Sequence, residues 1–226
     1  MAAGISVIIP AYQEVCTIAG LVAHLRALKA GEVIVVDGHS EDGTAGEARR
    51  AGALVLVAER GRAAQMNAGA RASRGDVLLF LHADVRLGGA ALAAIRDSLR
   101  DPAVQGGNLD IRYEGGDVAA ACFTLVNRWR RRWGVFYGDS GIFCRRAAFE
   151  ALGGFRPWPI LEDYDFARRL WRFGRVALLR EPIYVSARRW RNGGLARTLA
   201  SWAVIQGLYF LGVPPQRLAR WYRAVR

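Results

Sequence analysis

The chain has 226 residues, enough for one well-buried domain with a terminal extension but short for two independent catalytic domains. Apolar residues make up 52% of the sequence and charged residues 23%, values that exclude an intrinsically disordered chain. The formal net charge is +12, but residues 1–126 hold 12 basic and 14 acidic side chains, whereas residues 127–226 hold 20 and 6. A positive field of this kind attracts phosphates on anionic lipids, on nucleic acid or on a diphosphate substrate. The alternative is composition bias, because Lys29 is the only lysine among the 32 basic residues.

The cysteines and the N-terminus bear on the cellular compartment. Cys16, Cys122 and Cys144 are far apart, odd in number and without a CxxC pair, so we expect reduced, packed thiols. The first residues contain no basic region leading into an apolar segment, and the apolar run at residues 5–9 is too short for a signal-peptide core. We therefore expect the catalytic parts to lie in the cytoplasm.

The first hundred residues alternate between short β-branched runs and longer alanine-rich segments with helical spacing. Four strands are predicted at residues 5–9, 32–36, 53–57 and 77–81, and helices at residues 17–29, 44–51, 63–72 and 90–99. This pattern is typical of an α/β fold with a mainly parallel sheet flanked by helices. In such sheets ligands bind beyond the carboxyl ends of the strands.

After residue 100 the pattern is less regular. A strand is predicted at residues 104–113, a helix at 118–132, a short strand at 141–144 and another helix at 162–173. We place a catalytic domain at residues 1–192 and a C-terminal amphipathic helical extension at residues 193–226.

Polar side chains follow the first two strands. The first strand ends in a proline-led turn, Pro10 to Glu14, rather than the glycine-rich turn of a dinucleotide site, which disfavours a Rossmann oxidoreductase. The second runs into Asp37, which is able to accept the N–H of a nucleotide base, and Thr44 is a candidate helix cap. Taken alone, an Asp-Gly pair after a strand is more often ordinary turn chemistry.

The fourth strand ends in His82, Ala83 and Asp84. A carboxylate at this position is able to hold a divalent cation whose remaining ligands come from a diphosphate and water, since magnesium commonly uses only one or two protein carboxylates. The structural alternative is that Asp84 caps a turn and His82 is a packed histidine.

Two further segments carry charged groups with a chemical use. Glu162, Asp163 and Asp165 open a helix, where acidic side chains suit the helix dipole; we favour Asp163 as a base that removes the proton of an acceptor hydroxyl. Arg188, Arg189 and Trp190 join two guanidinium groups to an aromatic ring, a composition able to clamp a diphosphate. The basic cluster at residues 128–132 is expected to be solvated or membrane-facing.

The C-terminal extension contains a mostly apolar run at residues 199–213. With about 15 residues it falls short of the roughly 20 that a membrane-spanning helix needs. Arginines precede and follow it, and Trp202, Tyr209 and Trp221 suit headgroup depth, so an in-plane membrane contact is one hypothesis. A helix that covers the catalytic domain or forms a homodimer interface is the other.

The order and spacing of these segments resemble the family 2 glycosyltransferases, inverting enzymes with the GT-A (Rossmann-like, nucleotide-diphospho-sugar transferase) fold, over roughly residues 4–190. Residues 6–14 (SVIIPAYQE) resemble the family's opening strand and nucleotide-contacting turn, and residues 35–44 (VVDGHSEDGT) its base-binding segment. Residues 60–69 (RGRAAQMNAG) are similar to the segment along the ribose and phosphates, and Asp84 falls on the last position of the metal-binding DxD motif. The pattern most resembles the radical-SAM/selenodomain-associated glycosyltransferases.

The resemblance implies roles for individual residues. Asp163 would be the catalytic base with Glu162 beside it, Asp84 would bind Mn²⁺ or Mg²⁺, and residues 188–190 would contact the diphosphate. The donor sugar and acceptor would lie near Gly138, Asp139 and Ser140. The implied nucleotide contacts are Pro10, Tyr12, Glu14, Asp37, Arg60, Arg62, Gln65, Asn67, His82 and Ala83.

The sequence departs from the DxD pattern at its first acidic position, where His82 stands. The implied function is hexosyltransferase-type transfer from a nucleotide diphosphate sugar, UDP by family habit, to an unidentified acceptor by single-displacement inversion. A lipid-linked molecule is one candidate for the acceptor. Two alternatives remain. One is a sugar-phosphate nucleotidyltransferase, and the other is a non-catalytic protein that binds anionic lipid or nucleic acid. For the favoured enzyme we expect no nucleic-acid partner. Peripheral contact of that enzyme with the inner face of the cell membrane stays open.

Overall fold

The computed structural model describes residues 4–114, 118–186 and 204–221. The strands within this part are β1 (Ile5–Ala11), β2 (Glu32–Asp37), β3 (Leu54–Val57), β4 (Val77–Phe80), β5 (Val85–Leu87), β6 (Val104–Tyr113), β7 (Ile142–Arg145) and β8 (Arg175–Val185). The helices are α1 (Val15–Ala27), α2 (Thr44–Arg50), α3 (Arg62–Ala72), α4 (Ala91–Ser98), α5 (Val118–Arg131), α6 (Arg146–Ala151), α7 (Glu162–Phe173), α8 (204–210) and α9 (Pro215–Ala219). A 3₁₀ turn occupies Gly138–Ser140.

The first half of the chain forms the parallel part of the sheet. The strand order is β3-β2-β1-β4-β7-β6-β8-β5, and β3, β2, β1 and β4 pair in parallel. All seven residues of β1 are buried, as expected for a strand covered on both faces. The register places Ala11 beside Asp37 and Asp37 beside Val57, so the carboxyl ends of three strands meet at one edge. The predicted strands and helices of this half are confirmed to within two residues at each end.

The second half makes the sheet mixed. Strand β7 lies antiparallel between β4 and β6, β6 pairs in parallel with β8, and β8 pairs antiparallel with β5. The α/β GT-A architecture expected from the sequence is therefore confirmed, although its parallel pairing is concentrated in one half.

Three elements were not predicted. Strand β5 has only three residues, and the short α6 follows β7 directly. Strand β8 contains Pro182, which usually argues against a strand. Pro182 is accommodated at a register irregularity, since Asn108 pairs with Leu178 whereas Asp110 pairs with Pro182.

The sheet is covered on both faces. Helices α1 and α4 bury Leu21, Val22 and Ile95 in one apolar cluster, while α3, α6 and α7 bury side chains in the other. Helix α3 lies directly on the sheet at Gly69, where a Cβ atom would be 2.5 Å from Ile8 Cγ2. The N-terminus of α3 lies at the carboxyl edge of the parallel strands, where Gln65 bonds to Ala11, and the ion pair between Arg62 and Glu162 places the start of α7 beside it.

The described part of the C-terminal extension packs against the α/β domain. Ile205 and Leu218 are buried together with Ile160, just before α7. This packing supports the hypothesis of a covering helix, while an in-plane membrane contact by the extension and the boundary near residue 193 stay predictions. Within the described residues, no helix has the length and apolarity required to cross a membrane.

The expectation of packed thiols is wrong for two of the three cysteines. Cys144 is buried in β7, whereas Cys16 and Cys122 are exposed, and all three are free thiols. Cys16 and Cys122 lie on outward faces of helices, which a spacing of three isolated cysteines could not reveal.

Candidate active site

A buried glutamine joins the ends of β1 and β2 to α3. Gln65 is 3% exposed, and its Nε2 donates hydrogen bonds to the carbonyl oxygens of Ala11 (2.8 Å) and Val36 (2.7 Å). Its Oε1 accepts the N–H of Gly61 at 3.3 Å. The amide group therefore fixes the strand edge and the start of α3 as one unit, rather than pointing into open space as a ligand contact.

Asp37, at the tip of β2, keeps one carboxylate oxygen available. The residue is 2% exposed, and Oδ2 accepts the backbone N–H of Ser40 at 2.9 Å. Oδ1 is buried and has no hydrogen-bond partner among the described residues. Because buried polar atoms are nearly always paired, this oxygen is suited to a donor supplied by a ligand, such as the N–H of a base.

An aromatic and a guanidinium group lie together beyond β1 and β3. The Cζ atom of Arg60 is 3.8 Å from the centroid of the Tyr12 ring. This cation–π pair presents two flat groups at the same edge as Asp37. Both residues were predicted as nucleotide contacts, and the structure brings them together.

Other predicted contacts make bonds within the protein. Pro10 lies inside β1, paired with Val36. Glu14 accepts a hydrogen bond from Thr17 Oγ1 at 2.8 Å. Asn67 donates to the carbonyl of Phe155 (2.8 Å) and accepts its N–H (3.0 Å), so it holds the loop before α7. Their roles as ligand contacts stay predictions.

Thr44 has a role different from the predicted helix cap. No side-chain capping bond is present at the start of α2; instead, Thr44 Oγ1 accepts the N–H of Glu14 at 2.8 Å and donates to Asp42 Oδ1 at 2.5 Å. That hydrogen bond is the main cause of a lowered pKa for the Asp42 carboxyl. The loop after β2 is thereby tied to the loop after β1.

The segment after β4 places an exposed carboxylate over a cleft. Asp84 is exposed, whereas Ala83 is buried. Because Val85 pairs with Val185, Asp84 lies next to Ser186 at the end of β8, and both line a cleft of about 300 Å³.

No cluster of three or more His, Cys, Asp or Glu side chains able to hold a metal occurs in the described part of the chain. A single exposed carboxylate fits a cation whose other ligands come from a diphosphate and water.

Asp163 is held beside the 3₁₀ turn. The residue is 6% exposed; Oδ2 accepts the N–H of Gly138 at 2.8 Å and Oδ1 accepts the N–H of Tyr164 at 2.7 Å. A Cβ atom at Gly138 would be 2.7 Å from His82 Nε2 and 3.0 Å from Asp163 Oδ2. The histidine after β4 and the carboxylate of α7 therefore converge on one point, a proximity that the sequence analysis did not predict.

Glu162 forms an ion pair across the site. Its Oε1 lies 2.6 Å from Arg62 Nε, and the carboxylate is 1% exposed while the arginine side chain is 39% exposed. Burial raises the pKa of Glu162, a shift that Arg62 opposes and the Asp163 charge reinforces. Arg62 was predicted as a nucleotide contact; in the structure it links the start of α3 to the start of α7.

Two residues that sequence reasoning missed support the turn. The Tyr137 ring stacks on Tyr164 with centroids 5.3 Å apart, and its hydroxyl donates to Gln206 Oε1 at 2.5 Å. Burial raises the pKa of the Tyr137 phenol, against the effect of Arg130. Tyr137 directly precedes the residues predicted to lie near the donor sugar and acceptor, a position that could have drawn attention to it, but nothing in the sequence marks Gln206.

The remaining turn residues differ in exposure. Ser140 is buried and its Oγ donates to the carbonyl of Tyr137 at 2.5 Å, while Asp139 is half-buried. Arg188, Arg189 and Trp190 lie outside the described residues. Their role as diphosphate contacts stays a prediction.

Comparisons with known proteins agree with this geometry. The family described as Glycosyl transferase family 2 matches residues 6–153. No curated protein sequence matches the chain.

Three similar solved structures are distant from this chain in sequence. The mannosyltransferase PcManGT from Pyrobaculum calidifontis, in complex with GDP-Man and Mn²⁺, is 21% identical with a TM-score of 0.66; the match covers 81% of this chain and 57% of that protein. Glucosyl-3-phosphoglycerate synthase from Mycobacterium tuberculosis, in complex with Mn²⁺, UDP and phosphoglyceric acid, is 19% identical with a TM-score of 0.61, covering 81% and 69%. Mannosyl-3-phosphoglycerate synthase from Rubrobacter xylanophilus is 20% identical with a TM-score of 0.61, covering 99% and 77%. The chain thus spans little more than half the length of the mannosyltransferase.

Proposed function

The chain belongs to glycosyl transferase family 2, and we propose that it transfers a sugar from a nucleotide diphosphate sugar to the hydroxyl group of an acceptor. The observation that carries the proposal is the buried Asp163 carboxylate, bonded to the Gly138 N–H and converging with His82 at the end of β4. A carboxylate held at the carboxyl edge of a nucleotide-binding sheet has the position that a general base needs.

The donor nucleotide is assigned to the edge formed by β1, β2 and β3. Asp37 Oδ1 would accept an N–H of the base, and Tyr12 with Arg60 would lie against its flat surface. We favour UDP, which is present in the M. tuberculosis enzyme, while the P. calidifontis enzyme was solved with GDP-Man.

A divalent cation, Mn²⁺ or Mg²⁺, is assigned to Asp84. When bound, such a cation stabilises negative charge on the departing nucleotide diphosphate. The protein supplies one exposed carboxylate two positions after His82, and the sequence predicts Arg188 and Arg189 as further contacts of the diphosphate. Those arginines would add positive charge to the same diphosphate.

Asp163 would take the proton of the acceptor hydroxyl as that oxygen attacks the sugar carbon. The Gly138 N–H donates a hydrogen bond to Oδ2 and so fixes the position of the carboxylate. The acceptor oxygen bonds to the sugar carbon while the bond to the nucleotide diphosphate breaks. One such displacement inverts the anomeric configuration without a second nucleophile.

The experiment measures nucleotide release from a panel of UDP- and GDP-sugars with Mn²⁺, Mg²⁺ or EDTA. The parent chain is compared with Asp84→Ala and with Asp97→Ala, a control on the exposed face of α4. We expect donor-specific release that requires metal and falls by about 100-fold in Asp84→Ala, a loss of about 2.7 kcal/mol in transition-state stabilisation, but not in the control.

The outcomes separate the alternatives. Pyrophosphate release from a sugar phosphate and a nucleoside triphosphate would indicate a nucleotidyltransferase instead. Folded protein that neither binds UDP with Mn²⁺ nor releases nucleotide, but binds anionic lipid or nucleic acid with steep salt dependence, would contradict the proposal.

A further inference from the structure

Helix α5 presents an apolar face to solvent. Leu125 is 61% exposed, Trp129 is 64% exposed, and Trp133 in the following turn is 70% exposed. The larger outward residues with apolar or weakly polar side chains in the described part of this segment are Val118, Cys122, Leu125, Val126, Trp129 and Trp133. Their spacing of three, four and seven residues puts them on one stripe along the helix. We call this set the α5 stripe.

The opposite face of α5 is anchored to the sheet. Phe123 and Asn127 are buried, and Asn127 Nδ2 donates to the Tyr113 hydroxyl at 3.1 Å. Arg128 donates to the Asp110 carboxylate at 2.6 Å and 2.9 Å. The inner contacts fix the rotation of the helix about its axis, so the α5 stripe faces outward as part of the folded state.

Positive charge borders the stripe at its C-terminal end. Residues 118–133 contain Arg128, Arg130, Arg131 and Arg132 and no acidic residue. Asp110 offsets one charge of the pair Arg128 and Arg131, while Arg132 is exposed. On a helical projection the arginines flank the apolar sector on both sides, which is the arrangement of helices that lie in a membrane interface.

We propose that α5 lies in the plane of an anionic lipid bilayer, with the α5 stripe inserted among the acyl chains and its arginines at the lipid phosphates. Two tryptophans at the basic end suit headgroup depth. The positive charge favours an anionic lipid surface over a second copy of the chain, because two α5 faces would bring like charges together. With 14 residues, α5 is too short to cross the bilayer.

The location of α5 gives the contact a consequence for the proposed function. The Arg130 guanidinium lies 5.0 Å from the centroid of the Tyr137 ring, and Tyr137 directly precedes Gly138, whose N–H binds Asp163. We call the part of the site that contains Gly138 and Asp163 the acceptor side. A bilayer at the α5 stripe would therefore lie beside the acceptor side. Lipid binding itself does not depend on catalysis, so either proposal can fail alone.

The first test is co-sedimentation of the full chain with vesicles of phosphatidylcholine alone or mixed with phosphatidylglycerol. We expect binding to the anionic vesicles, and a loss of at least about tenfold in Leu125→Ser/Trp129→Ser, because two inserted apolar side chains are removed. The matched control is Leu54→Ser/Val57→Ser, which removes side chains 48% and 53% exposed on β3. Arg132→Gln should weaken binding about fivefold, the equivalent of about 1 kcal/mol per charge, while Arg49→Gln on α2 should not.

A second test uses the native cysteines. An environment-sensitive fluorophore on Cys122, in a Cys16→Ser chain, should shift to shorter wavelength with anionic vesicles, whereas the same label on Cys16 in a Cys122→Ser chain should not. Cys144 is buried and should not react. These shifts report insertion of α5 even if the serine double variant fails to fold.

Three outcomes would overturn the proposal. One is a parent chain that does not bind the anionic vesicles. Another is unchanged binding in Leu125→Ser/Trp129→Ser together with loss in Leu211→Ser, which would assign the contact to the C-terminal extension, where Leu211 is 82% exposed. The third is a dimer, measured by light scattering, that dissociates when the stripe is changed.

Discussion

The two sides of the site are built in different ways. On the donor side, the ends of parallel strands align through their register, and Gln65 bonds directly to the backbone of β1 and β2. On the acceptor side, the contacts join distant parts of the chain through side chains: Arg62 with Glu162 and Tyr137 with Gln206. The comparison teaches that the donor side is a property of the sheet, whereas the acceptor side depends on how separate segments dock.

The largest expected effect separates chemistry from binding. Asp163→Asn keeps the shape of the side chain but removes the base, so sugar transfer should fall by about 1,000-fold. UDP binding with Mn²⁺, followed by calorimetry, should change little because Asp163 is on the acceptor side. The control Asp97→Asn changes an exposed carboxylate on α4. Equal loss of binding and turnover in Asp163→Asn would contradict the division of the site into two sides.

The donor side should be sensitive in stability. Gln65→Leu removes the donor that two buried carbonyl oxygens share, and we expect the free energy of unfolding to fall by about 2–4 kcal/mol. Urea titration measures it. Gln105→Leu, which removes one exposed hydrogen bond to Pro102, serves as the control and should cost less than about 1 kcal/mol. A similar loss in both variants would show that the hydrogen bonds of Gln65 do not hold the ends of β1 and β2 in place.

A methyl group tests the convergence of His82 and Asp163. In Gly138→Ala the added Cβ would lie 2.7 Å from His82 Nε2 and 3.0 Å from Asp163 Oδ2, so the two groups must separate. We expect kcat to fall by about tenfold, near 1.4 kcal/mol, with the KM for donor little changed. In the control, Gly46→Ala, the nearest atom is 3.9 Å away and activity should be retained. An unaffected kcat in Gly138→Ala would mean that this point is not occupied by reacting groups.

The smallest expected effect is a pH dependence of stability. Burial raises the pKa of Glu162 in the folded protein, so between its ordinary pKa, about 4.3, and the raised value the folded state binds more protons than the unfolded state. The free energy of unfolding should therefore fall relative to that of Glu162→Gln as the pH rises through this window. Urea titrations of both proteins at several pH values measure the difference. A difference that instead grows with pH would show that the Arg62 ion pair outweighs burial.

What the sequence could predict also differs between the two sides of the site. Short apolar runs at residues 5–9, 32–36 and 77–81 are sufficient to predict β1, β2 and β4, and parallel pairing then brings Asp37 to the edge where ligands bind. The motif at residues 162–163 marked Asp163 as the candidate base, and the structure shows that this residue is buried beside Gly138. Strand β8 was missed because its proline and half-buried residues lack strand alternation.

The sequence by itself determined the layered α/β architecture and the membership in glycosyl transferase family 2, because local hydrophobic periodicity and short motifs carry both. Only the tertiary structure decided which polar groups meet: it paired Arg62 with Glu162, turned Gln65 and Asn67 toward backbone groups, and brought Gln206 to Tyr137. It also decided which side of α5 is anchored. Such contacts depend on the packing of segments up to about 100 residues apart, and no local pattern encodes a pairing at that separation.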